Sequence, residues 1–158
     1  AAIYIAYIVY TYNKRRDLEA IREKAWSSQQ SLNSLILANR DVQKASEVSV
    51  SGVIDQNTTD EDIARATYCV FIQLNRVNLL WGGWRSKIID RKVLDELARP
   101  TLWLYKGNEY LLRFCLSRGY SDDFVEYVNS ELVIINAEKS TKPKPIKEFI
   151  SEIRATLR

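Results

Sequence analysis

Residues 58–90 read TTDEDIARATYCVFIQLNRVNLLWGGWRSKIID, and this run constrains the fold more than any other in the 158-residue chain. Ile63, Thr67, Val70, Leu74, Val77, Trp81 and Trp84 recur at steps of three and four, the period of one face of an α-helix. Phe71, Leu79 and Leu80 widen that stripe, so the helix needs cover on most sides and belongs at the centre of a bundle. Thr58 with Glu61, or Thr59 with Asp62, has the spacing of a capping box, and the acidic run 60–62 suits the positive end of the helix dipole. The prediction is one long central helix over about residues 58–87 in an all-α protein.

A polar seam interrupts this apolar surface. Asn75, Arg76 and Asn78 stand in it, and Asn75, Asn78, Gly82 and Arg85 share a face at steps of three and four. A buried amide without a partner costs about 1–3 kcal/mol, so such a face is either a structural network or a site. Asn75, Asn78 and Arg85, with Arg113, are the candidate ligand or partner face. Gly82-Gly83 between two tryptophans either admits a neighbouring helix closely or loosens the helix near its end.

The chain opens on AAIYIAYIVYTY, without a charge, followed by Asn13-Lys14-Arg15-Arg16. Twelve residues of helix reach only about 18 Å, short of a bilayer. The order nevertheless matches the exit of a membrane helix: an aliphatic run, tyrosines at interface depth, then basic residues. The expectation is that residues 1–13 end a membrane anchor begun upstream; the alternative is a core helix lined by Tyr4, Tyr7 and Tyr10. Leu18, Ile21, Ala25, Ser28, Leu32 and Leu35 carry the helix on to Ala38 along one stripe, while Trp26 and Leu37 lie off it and suggest a second contact.

Asn39-Arg40-Asp41 reads as a stop and restart, with Asp41 able to cap a short helix, and 46–57 as an irregular connection. Asp90 opens a helix to about Tyr105 with a kink or break at Pro100. Gly107-Asn108 stops it and caps a short helix over 109–118. Ser121 caps a last helix to about Glu138 whose inward residues are Phe124, Val125, Val128, Leu132 and Ile135. Residues 140–145, STKPKP, form a linker. Ile146, Phe149, Ile150, Ile153 and Leu157 beyond it draw one face of an amphipathic basic helix, which can dock on its own domain, a membrane surface or a partner.

Composition narrows the function by exclusion. There is no histidine, which removes the commonest general base and most nucleophile pairs and metal sites. Cys69 and Cys115 sit in apolar helical stretches and read as free buried thiols. Glycine-rich phosphate loops and nucleophile elbows are absent. A net charge of +3 from interspersed signs makes nucleic acid an unexpected partner. No enzyme activity, cofactor or metal is predicted.

LILANRDVQKA at 35–45, the central run, and GYSDDFVEYVNSEL at 119–132 together resemble a bacterial family of unknown function. In that family an N-terminal membrane helix with a basic flank leads into a small all-helical cytoplasmic domain. The resemblance covers about residues 1–135. Arg40 stands where the family carries proline, and Asn78 falls near its central glutamate, which weakens a carboxylate role there. The resemblance implies a tethered helical domain and no activity. The expectation is an interaction or regulatory domain at the bacterial inner membrane facing the cytoplasm, or alternatively a cytoplasmic one, self-associating through its first helix. A soluble ligand-binding or enzymatic domain using the polar face of the central helix is the second reading.

Overall fold

The computed structural model describes residues 2–53 and 56–137. Six α-helices account for these residues: α1 Ala2–Ala38, α2 Arg40–Ser51, α3 Asp60–Arg85, α4 Arg91–Leu104, α5 Glu109–Leu116 and α6 Asp122–Ala137, with one turn of 3-10 helix at Tyr105–Gly107. No strand occurs among the described residues, so the chain is an all-α bundle. The expected basic C-terminal helix lies outside them.

α3 is the axis, packed by α1, α2, α4 and α5, while α6 closes the bundle against α4. Val70, Leu74, Val77 and Leu80 of α3 meet Leu94, Ala98 and Leu102 of α4, Leu112 and Leu116 of α5, and Phe124, Val128, Leu132 and Ile135 of α6. The buried line on α3 also takes in Ala66, Cys69, Gln73 and Gly83, so its deepest track is turned slightly from the stripe through Ile63, Trp81 and Trp84, which are half-buried. Gly83 gives the reason: a Cβ there would stand 2.9 Å from Ile21 Cδ1 of α1, whereas one on Gly82 meets nothing within 4 Å. Of the two glycines, Gly83 is the one that admits a neighbouring helix.

α3 starts in the second of the two capping registers. Asp62 N donates to Thr59 Oγ1 at 3.2 Å and Thr59 N donates to Asp62 Oδ2 at 2.9 Å. Lys44 Nζ of α2 donates to the same carboxylate oxygen at 2.7 Å. The Lys44 bond, followed by those from Thr59, holds the Asp62 carboxyl down at about 2. A folded pKa below the ordinary carboxylate value means stability that is complete above about pH 4 and lost as pH falls toward the folded pKa. The stability gap between the wild type and Lys44→Met should therefore be full at neutral pH and shrink between about pH 4 and pH 2. Urea unfolding at stepped pH reads it, and a gap that stayed constant would refute this role.

Around α2 the structure departs from expectation. Asn39, with its backbone extended, is itself the cap in place of Asp41, its Oδ1 accepting from Asp41 N at 2.9 Å and Val42 N at 3.4 Å. The helix then continues through Ser51, where an irregular connection was expected, because Ala45 and Val48 bury a face. Gly52 ends it with φ 67°, its N–H donating to Val48 O. Asn108 occupies this corner, its Nδ2 donating to Val48 O at 3.2 Å and Ser49 O at 3.0 Å while its Oδ1 accepts from Leu111 N. One amide thus finishes α2 and starts α5. Pro100 does not break α4, which runs on to Leu104.

The membrane expectation is corrected here. No helix among the described residues is long and apolar enough to cross a membrane. The apolar start of α1 gives way at Lys14 after about 18 Å of helix, against a hydrocarbon core of about 30 Å. The anchor expected at residues 1–13, and the inner-membrane placement built on it, are not carried by this helix. α1 runs unbroken from Ala2 to Ala38.

Candidate functional site

α1 has two unlike halves. From Leu18 onward it serves the bundle: Ala25 and Leu32 are buried, and Leu18 and Ile21 pack against the core. Before Asp17 every residue from Ile3 to Arg16 is exposed. Ile3, Tyr4, Ile5, Tyr7, Ile8, Val9, Tyr10 and Tyr12 present 48–88% of their surface to solvent. They follow one another so closely that they occupy every side of the helix rather than one stripe. Trp26 and Leu37, expected to make a second contact, are also exposed, so none of the described residues covers them.

The four residues singled out from sequence do not converge. Asn75 is exposed and accepts a hydrogen bond from Tyr120 Oη at 2.8 Å. Asn78 is half-buried. Arg85 Nη1 pairs with Asp123 Oδ2 at 2.6 Å, and its guanidinium lies 5.1 Å from the Trp81 ring centre. Arg113 reaches Asn129 Oδ1 at 2.7 Å and Glu109 Oε2 at 3.0 Å. Arg85 and Arg113 line different hollows on α6, one beside Tyr127 and the other beside Tyr120. Tyr120, its hydroxyl pushed up to about 12 by burial, donates to Asn75 and also lines the Arg113 hollow.

The Arg85 hollow is a cleft of about 400 Å³ between α3, α4 and α6. Its floor is Glu131, a carboxylate with no exposed surface. Arg91 Nη2 binds one of its oxygens and Arg99 Nε donates to the other at 3.0 Å. Arg91 also stacks over Trp84 at 5.6 Å and Tyr127 at 5.3 Å. Tyr127 Oη is buried without a hydrogen-bond partner, and burial, then the Glu131 charge, pushes its pKa up. Both arginines of the cleft face carboxylates, Arg85 with Asp123 and Arg91 with Asp95 and Glu131. The arginine charges of the cleft are therefore met by its own carboxylates, and its chemistry is that of a clamp fixing α6 onto α4. Burial raises the Cys69 thiol and lifts Cys115 to about 11, which disfavours the thiolate form of both.

Glu131 was missing from the expected inward residues of α6, although the signal was present. It stands four residues after Tyr127 and four before Ile135, on the buried stripe itself. A charge in that register announces a partner, and Arg91 and Arg99, eight apart on α4, supply two. No family model, curated protein or solved structure matches the chain.

Proposed function

We infer that the chain is a helical interaction module that associates with a second copy of itself through the N-terminal half of α1. The observation that carries this is the run of eight large apolar side chains from Ile3 to Tyr12 left in solvent. Monomeric proteins rarely expose contiguous apolar patches beyond a few hundred Å². Eight such side chains, four of them tyrosine, expose on the order of 800 Å² per chain; spread round the helix, this is more than one partner helix can cover, which favours assemblies larger than a pair as well as dimers.

Charge selects the pairing. Lys14, Arg15 and Arg16 follow directly on the apolar run. Parallel helices would set the two basic clusters about 8–10 Å apart, within the Debye length at physiological salt. Antiparallel helices crossing between Tyr7 and Ile8 separate them by about 20 Å and place the two bundles at opposite ends.

Sedimentation velocity over the micromolar range tests this. The full chain should sediment as a dimer or larger, and Ile5→Glu with Ile8→Glu should yield monomers. Each isoleucine contributes about 1.5–3 kcal/mol when buried, so the double change should weaken association by roughly 100-fold or more. A full chain that stays monomeric throughout would overturn the reading.

A further inference from the structure

One side of α6 is left uncovered by the described residues, and its two ends differ in chemistry. Asp122, Val125, Glu126, Asn129, Ser130 and Val133 line a shallow hollow of about 500 Å³ on it, and a further step of four carries the same side on to Ala137. The first turns are acidic. Asp122 and Glu126 are exposed and, unlike Asp123 beside Arg85, neither has an ion-pair partner among the described residues. The last turns are apolar, with Val133 69% and Ile134 42% exposed.

The sequence that follows α6 carries the complement in reverse order. Read at helical spacing, Ile146, Phe149, Ile150, Ile153 and Leu157 form one apolar stripe. Lys147, Arg154 and Arg158 fall together on one flank of that stripe, with Glu148 and Glu152 on the far side. The two prolines within 138–145 disfavour a helix through that stretch. Eight extended residues reach about 25 Å, ample for a return beside α6, since packed helices lie about 8–10 Å apart. As helix, 146–158 would measure about 20 Å against about 24 Å for α6, which has 16 residues.

Laid back antiparallel, Ile146, Phe149 and Ile150 come level with Val133, Ile134 and Ala137, and Arg154 and Arg158 with Glu126 and Asp122. Charge also rejects the other large apolar surface, the start of α1. Residues 139–158 hold six basic and two acidic residues, and Lys14, Arg15 and Arg16 beside the α1 run repel them. We propose that residues 146–158 cover this side of α6 as an antiparallel helix, apolar end on apolar end and basic end on acidic end.

Cross-linking of the full chain with oxidised glutathione tests the register. Val133→Cys with Ile150→Cys should form a disulfide within one chain. Val133→Cys with Leu157→Cys, a site about 10 Å further along the helix, should form it several-fold more slowly. Single-cysteine variants report any background from the buried Cys69 and Cys115. Limited digestion with trypsin reads the charges. Glu126→Lys and Arg154→Glu should each speed cleavage after Lys147 several-fold, and the two together should restore the wild-type rate. Neither change touches the core, because Glu126 is exposed and residue 154 lies beyond α6. Cross-links only between chains would make a second copy the occupant of this face and overturn the proposal. Equal rates in the two registers, or cleavage unmoved by both charge changes, would overturn it as well.

Discussion

Glu131→Ala should destabilise the bundle by about 3 kcal/mol or more, the loss expected when one member of a buried ion pair is deleted. The carboxylate has no exposed surface and is the shared partner of Arg91 and Arg99. Removing it sets two cations side by side over a void. Their side chains remain 45% and 33% exposed, so solvent takes up part of the unpaired charge and the loss falls toward the lower end of the range. Replacing Glu131, Arg91 and Arg99 together by leucine should recover much of it, because a well-packed apolar substitute is often as stable as a buried ion pair. Urea unfolding of the single and triple variants decides the matter. A single variant within about 0.5 kcal/mol of wild type would mean the carboxylate is hydrated and the clamp is no clamp.

The second large effect belongs to Phe124, where α6 enters the core. Its ring is fully buried and lies 5.5 Å from Trp81, 5.2 Å from Tyr120 and 6.3 Å from Tyr127 between ring centres. Phe124→Ala should cost about 3–5 kcal/mol, as transfer and cavity terms add and three rings lose their common neighbour. Phe124→Leu, which refills most of the volume, should cost clearly less. Because Trp81 meets Phe124 edge-on, the alanine variant should also shift the native tryptophan emission. Stability kept within about 1 kcal/mol would show that the surrounding rings close over the gap.

The helices were legible because each is written in the period of its own apolar positions. α3 reads so clearly, with two capping registers one residue apart, that tertiary structure had only to choose between them. Lys44 chose, by reaching Asp62 from α2, and no local pattern could have shown that. α2 itself was misread for the converse reason: Ser46, Ser49 and Ser51 make a poor helix in isolation, and burial of Ala45 and Val48 overrides that propensity. The candidate face was legible as polarity and illegible as placement. Asn75, Asn78 and Arg85 do share a side of α3, yet that side looks out toward Tyr120 and the edge of α6 rather than into the core. Arg76, one residue away, points to the opposite flank and meets α1 and α4. Which side of an all-round apolar helix faces a groove is decided by the helices that cover it, and those lie tens of residues away in sequence.

Asn108 has a consequence for how the bundle comes apart. By bonding Val48 O and Ser49 O while capping α5, it fastens the chain into a closed ring that contains α3 and α4 entire. Closing a ring of that size is entropically expensive once and then shared by every contact inside it. Fraying at the end of α2 and fraying at the start of α5 are in this way one event, so the two helices should be lost together, as a single cooperative unit, and not peel from the bundle in turn.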